Sequence, residues 1–106
     1  AASKFAVVGM TQTAAKDLAP HNIRVNALSP ALIGPGMMWT RQTELQAGVG
    51  SQYFDANPKV VEQQMINSVP MRRLGSLEEV ANGVAFLLSD EASYITGFNL
   101  DITGGL

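Results

Sequence analysis

Along residues 1–18, Ala2, Phe5, Ala6, Val8, Gly9 and Met10 recur at helical spacing, while Lys4, Gln12, Lys16 and Asp17 suit water. This pattern predicts a helix. Its small residues Ala2, Ala6, Gly9, Thr13 and Ala14 carry little bulk and would let a second helix approach closely. Ala19-Pro20-His21-Asn22 ends it, because Pro20 cannot continue a helix. The period then changes. Ile23, Val25, Ala27 and Leu28 form a nearly continuous apolar run over 23–28, which predicts a strand buried on both faces and stopped by Ser29-Pro30.

Residues 31–58 are the least regular stretch. Gly34-Pro35-Gly36 precedes Met37, Met38 and Trp39, a short helix fits 40–46, and Tyr53 and Phe54 stand in polar surroundings. A long, apolar-rich connection of this kind reads as a lid or binding segment, or as a disordered one. Residues 58–67 suit a short helix. Ser76-Leu77-Glu78-Glu79 has the capping-box pattern, with Ser76 as N-cap and Glu79 three residues on. The helix it opens should run to about Ser89 and bury Val80, Val84, Phe86, Leu87 and Leu88. Over 97–102, Phe98, Leu100 and Ile102 alternate with Asn99 and Asp101, predicting a second strand. Strand, crossover with helix, strand is one βαβ unit with a helix in front, and its crossover should be right-handed. Two strands make a poor sheet, and open strand edges invite pairing. The pattern therefore predicts part of a larger α/β layer.

Composition narrows the function. The 106 residues suit one domain, and 46% apolar with 15% charged residues is a globular balance. Nowhere do about 18 apolar residues run together, so no membrane span is predicted. A net charge of -2 without a basic block argues against nucleic acid and anionic membranes as partners. The absence of cysteine excludes disulfides and thiolate metal sites and fits a cytoplasmic location. Asp17, Glu44, Asp55, Glu62 and Asp90 are scattered, so neither a catalytic carboxylate pair nor a metal site is expected. Glu78 and Glu79 suit the first turn of a helix on electrostatic grounds alone. His21 reads as structural or solvated, and Asn26 as bonded to nearby backbone. No GxGxxG loop occurs, and Gly104-Gly105 reads as a terminal turn.

Three segments carry a family resemblance: Ala1-Ala2-Ser3-Lys4; Ile23-Arg24-Val25-Asn26-Ala27-Leu28-Ser29-Pro30; and Arg73-Leu74-Gly75-Ser76-Leu77-Glu78-Glu79-Val80-Ala81 with Phe86-Leu87-Leu88-Ser89-Asp90 and Tyr94-Ile95-Thr96-Gly97. In this order they resemble the C-terminal portion of the short-chain dehydrogenase/reductase family. Within it, Gly34-Pro35-Gly36, Met38-Trp39, Arg41-Gln42 and Gly50-Ser51-Gln52-Tyr53-Phe54 are most similar to NAD-dependent xylitol dehydrogenases of the polyol–ketose group. The fold implied is α/β, the C-terminal part of a Rossmann-like doubly wound parallel sheet in the order helix, strand, helical lid, helix, strand. Residues 1–106 would then be the C-terminal part of one domain whose N-terminal, nucleotide-binding half is absent.

The resemblance implies hydride transfer between NAD or NADP, with NAD favoured, and a secondary alcohol or ketone, a polyol by subgroup. Lys4 matches the Lys of the family's Tyr-x-x-x-Lys motif. That Lys holds the nicotinamide ribose and favours the phenolate of a Tyr one helical turn earlier. The Tyr would immediately precede Ala1, so the opening looks like a longer helix cut after a catalytic residue. The substrate-orienting Ser and the glycine-rich phosphate loop would lie further upstream. The turn Pro30-Ala31-Leu32-Ile33 matches the family segment that meets the nicotinamide carboxamide, with Ile33 as the position whose main chain pairs with the amide. This chain departs from the pattern twice. The usual Gly is Ala31, which restricts the backbone, and the usual Thr falls at Pro35, which has no hydroxyl. Met37 and Trp39 would face substrate. The isolated chain is expected to be inactive. The alternative is a non-catalytic truncated module that only self-associates or packs on a partner chain. A homo-oligomer is expected.

Overall fold

The computed structural model describes residues 2–34, 37–48 and 57–106; the side chains of Met37, Met38, Trp39, Gln42, Thr43 and Gln46 fall outside that description. The element order is helix α1 (Ala2–Leu18), a 3-10 turn (Ala19–His21), strand β1 (Ala27–Pro30), helices α2 (Met37–Gly48), α3 (Pro58–Ser68) and α4 (Leu77–Leu88), a second 3-10 turn (Asp90–Ala92) and strand β2 (Asn99–Ile102). Strands β1 and β2 pair in parallel. The chain divides into two compact units, Ala1–Ser29 with Val80–Ile102, and Pro30–Glu79 with Thr103–Leu106.

In the first unit, α1 follows the predicted bounds. Pro20 lies in the 3-10 turn, and Asn22 closes it in the left-handed region at φ 60°, its N–H donating to the Ala19 carbonyl at 3.0 Å. Thr11 and Ala15 are the buried positions of α1, and the Thr11 hydroxyl donates back to the Val7 carbonyl at 2.8 Å. The small-residue face is open: Ala2, Ala6, Gly9 and Thr13 are exposed and Ala14 is half-buried. Phe5 and Met10 are 80% and 69% exposed.

Strand β1 begins later than its apolar run predicts and includes Ser29 and Pro30. Side chains explain the shift. The Val25 N–H donates to Thr96 Oγ1 at 3.1 Å, and the Phe98 N–H donates to Asn26 Oδ1 at 3.0 Å. Backbone pairing continues around them out of ladder register, the Gly97 N–H donating to the Val25 carbonyl at 2.7 Å and the Ala27 N–H to the Phe98 carbonyl at 2.8 Å. Ile23 is 48% exposed and Ala27–Ser29 are half-buried, so among the described residues the strand is not buried on both faces. Pro30 is tolerated because it ends the strand, where a missing N–H costs no ladder bond. The second strand is likewise shortened, to Asn99–Ile102, with Gly97 at φ +73° just before it.

Helix α4 carries a further correction. Of the apolar residues expected inside, Leu87 is buried and Val80 half-buried, while Val84 and Phe86 are each 40% and Leu88 79% exposed. Where α4 does meet the sheet it comes close: a Cβ on Gly83 would lie 2.8 Å from Ile102 Cδ1 and 3.4 Å from Leu100 Cδ2.

The second unit is built on α3. Asn57 caps it by accepting from the Lys59 N–H at 3.0 Å, and Pro58 occupies the first turn, where its missing N–H is harmless. Val61 and Met65 of α3 form the core with Ala47 of α2, and Leu32 and Leu74 pack against it. Helix α2 begins at Met37 and ends at Gly48, longer than the 40–46 predicted. Tyr53 and Phe54 lie outside the described residues. The predicted capping box is present: Ser76 Oγ accepts from the Glu79 N–H, and Glu79 Oε1 accepts from the Ser76 N–H, each at 3.0 Å. Among the described residues, no helix is long and apolar enough to cross a membrane, and no group of three or more His, Asp or Glu could hold a metal.

Candidate cofactor and catalytic site

Lys4 stands in the first turn of α1, in the first unit, with an exposed side chain.

The turn predicted to meet a nicotinamide lies in the second unit. Pro30 is exposed; Ala31, Leu32 and Ile33 are half-buried. Leu32 has φ 47°, in the left-handed region that branched side chains seldom adopt. It is held there from both sides. The Gly75 N–H donates to the Leu32 carbonyl at 3.1 Å, and the Gly34 N–H donates to the Gly75 carbonyl at 2.9 Å. These two bonds form an isolated parallel bridge between Ile33 and Gly75. In such a bridge the flanking residues bond, so the N–H and C=O of Ile33 itself stay outside it. They form a donor–acceptor pair, the complement of a primary carboxamide, which offers one carbonyl and one NH2. The main chain here therefore fits the amide end of a nicotinamide.

The substitution of Ala31 for the family's glycine also finds its account. The left-handed conformation falls on Leu32, and Ala31 keeps a negative φ, so its methyl group meets no backbone penalty. Pro35 lies outside the described residues. Met37 and Trp39 occupy the first turn of α2, with side chains likewise outside the description.

Beside the bridge sits an ion pair that the pattern alone left unread. Arg73 Nη1 and Nη2 donate to Glu79 Oε1 and Oε2 at 2.7 and 3.0 Å, and Arg73 Nη1 also reaches the Leu74 carbonyl at 3.2 Å. The Arg73 bonds, then the bond from the Ser76 N–H, lower the Glu79 carboxyl from 4.5 to about 2. Gly75 thus lies inside a staple running from Arg73 to Glu79. Sequence reasoning had the residues of this segment, but not the partner of Gly75, 42 positions away at Ile33.

Comparison with known proteins bears on the whole chain. The family described as Enoyl-(Acyl carrier protein) reductase matches residues 1–106. The chain is 42% identical over 106 residues to a 3-oxoacyl-(acyl-carrier-protein) reductase of Thermotoga maritima, covering all of this chain and 37% of that protein. The crystal structure of an NAD+-bound xylitol dehydrogenase superposes with a TM-score of 0.93 at 63% identity, covering 98% of this chain and 40% of that one. The chain belongs to the short-chain dehydrogenase/reductase family. As in other members of that family, its two strands and flanking helices are the C-terminal part of a Rossmann-like parallel sheet. A third neighbour, YwfH, described as an NADPH-dependent reductase, superposes with a TM-score of 0.76 at 37% identity over 94% of this chain and 36% of that one. This short-chain dehydrogenase/reductase chain spans little more than a third of the length of the curated relatives it matches.

Proposed function

We propose that these residues are the C-terminal part of an oxidoreductase, a single Rossmann-like domain when complete, that moves hydride between NAD and a polyol or its ketose. The observation that carries this reading is the Ile33 main chain, which keeps a donor and an acceptor outside the bridge that holds its neighbours. The likeness to an NAD+-bound xylitol dehydrogenase at 63% identity supports both NAD over NADP and the substrate class. When bound, the nicotinamide supplies or accepts the hydride. Pro30, Ala31 and Ile33 orient its amide, and Lys4 holds the ribose and favours the ionised form of an acid/base Tyr one turn upstream in the longer protein. Met37 and Trp39, at the start of α2, cover the substrate. The 106 residues alone have no turnover, because they hold neither that Tyr nor a phosphate-binding loop. The longer enzyme works in the cytoplasm, as its cysteine-free C-terminal part suits.

The test is turnover by the longer protein with NAD+ or NADP+ and a series of polyols. Reduction of NAD+ by xylitol or a related polyol is expected, with Lys4→Met lowering the rate by about 100-fold or more. Preference for 3-hydroxyacyl thioesters over every polyol would overturn the substrate assignment.

A second reading has its own observation. Phe5, Val7 and Met10 on α1 and Val84, Phe86 and Leu88 on α4 are all at least 40% exposed, large apolar side chains that a covering partner would bury. This favours self-association, or packing against the remaining part of the protein, by the isolated chain, and homo-oligomer formation by the longer one. Sedimentation of the 106-residue chain tests it, and a soluble monomer at high concentration refutes it.

A further inference from the structure

We propose that Gly75, fixed by the Arg73–Ser76–Glu79 staple, is a positioning residue that sets the Ile33 main chain for the nicotinamide amide. The inference rests on the cofactor reading above and adds the device that holds the amide partner in place.

Leu32 is the strained point of the turn, at φ 47°, and a strained residue persists only where its surroundings over-determine it. Gly75 supplies that constraint with both of its main-chain groups: its N–H donates to Leu32 and its carbonyl accepts from Gly34. One residue thus fixes both neighbours of Ile33 and spends neither polar group of Ile33 itself. Gly75 is restrained, because the chain on either side of it is tied. Arg73 and Glu79 are joined by two parallel bonds of 2.7 and 3.0 Å, and Ser76 exchanges two bonds of 3.0 Å with Glu79. The approach is also close enough that a side chain here would have to displace the tip of Ile33. A Cβ on Gly75 would lie 2.7 Å from Ile33 Cδ1. Gly75 has no positive φ, so what favours glycine here is the space at the tip of the Ile33 side chain and not backbone conformation.

That distinction supplies the test. In the longer protein, Gly75→Ala should push the Ile33 side chain and tilt its main chain. Ile33→Val removes the Cδ1 atom in the way, so the double variant should recover. Calorimetric affinities for NAD+ and for ADP-ribose, which lacks the nicotinamide, separate positioning from general damage. The expected result is NAD+ affinity about fivefold weaker in Gly75→Ala, the equivalent of about 1 kcal/mol, with ADP-ribose unchanged and the double variant within about twofold of the parent. Amide exchange at Gly34, whose N–H bonds to Gly75, should quicken in Gly75→Ala and return in the double variant. Equal losses for both nucleotides, no loss at all, or no recovery with Val at 33 would each overturn the proposal. A parent protein that binds neither nucleotide would instead overturn the cofactor reading, and the Gly34 exchange rates would then decide the positioning role alone.

Discussion

Replacing Arg24 with Met should loosen the end of α4. Arg24 precedes β1, yet its guanidinium serves a helix more than sixty residues away. Nη1 donates to the Leu87 carbonyl at 2.7 Å and to that of Ile95 at 3.4 Å, and Nη2 donates to the Ser89 carbonyl at 3.1 Å. Leu87 lies in the last turn of α4, which has no basic residue of its own. The Arg24 cation therefore fills the place that a Lys or Arg in that turn would take beside the negative end of the helix. Two short bonds from a charged donor are worth roughly 1.5 kcal/mol each at the low end, and a cation at a helix C-terminus roughly 0.3–1 kcal/mol. Arg24 is half-buried, so water recovers part of this when the guanidinium is gone. Arg24→Met keeps most of the apolar stem and should cost about 2–3 kcal/mol. In a protein of the relatives' length that lowers the thermal midpoint by about 5–10 °C. Arg24→Lys should recover less than half, because an ammonium cannot span the Leu87 and Ser89 carbonyls with a fixed fork. The assay is thermal unfolding of the three proteins side by side. If Arg24→Met stayed within about 0.5 kcal/mol of the parent, the guanidinium would be a surface decoration and the reasoning would fail.

Acid should release the Arg73–Glu79 staple. The Glu79 carboxyl is lowered from 4.5 to about 2, so its contribution to stability is fully present above pH 4.5 and is lost as the pH falls from there through about 2. The stability gap between the parent and Glu79→Gln should therefore narrow over that window in acid titrations of unfolding, and a gap that stays constant would refute the assignment. Val61 is fully buried against Met65 and Ala47, and Val61→Ala should cost about 2–3 kcal/mol in urea unfolding. A loss below about 1 kcal/mol would mean that the small core of the second unit collapses to fill the space.

Much of the local structure was legible in the residues. The end of α1 follows from Pro20, and the start of α4 from the Ser76–Glu79 spacing, because both are decided by groups within one turn of each other. Lys4 and the 30–33 turn were reached through motif order, which constrains chemistry without geometry. Strand β1 was misplaced because its apolar run says where burial suits the chain, while pairing is decided by partners. Thr96 Oγ1 takes the Val25 N–H and Asn26 Oδ1 the Phe98 N–H, and both bonds join positions about seventy residues apart. The apolar stripe of α4 predicts burial, but among the described residues Val84 and Phe86 stay 40% and Leu88 79% exposed.

By itself, then, the sequence determined the helices, the cap of α4, the α/β order and the family, since each rests on spacing within a turn or on a motif read in order. Only the tertiary structure decided which residue carries the left-handed turn, Leu32 in place of Ala31. It alone paired Ile33 with Gly75 and brought Arg24 to the carbonyls of Leu87 and Ser89. The physical reason is the same in each case. These contacts use backbone groups, which every residue carries alike, so no side-chain pattern announces where their partners lie.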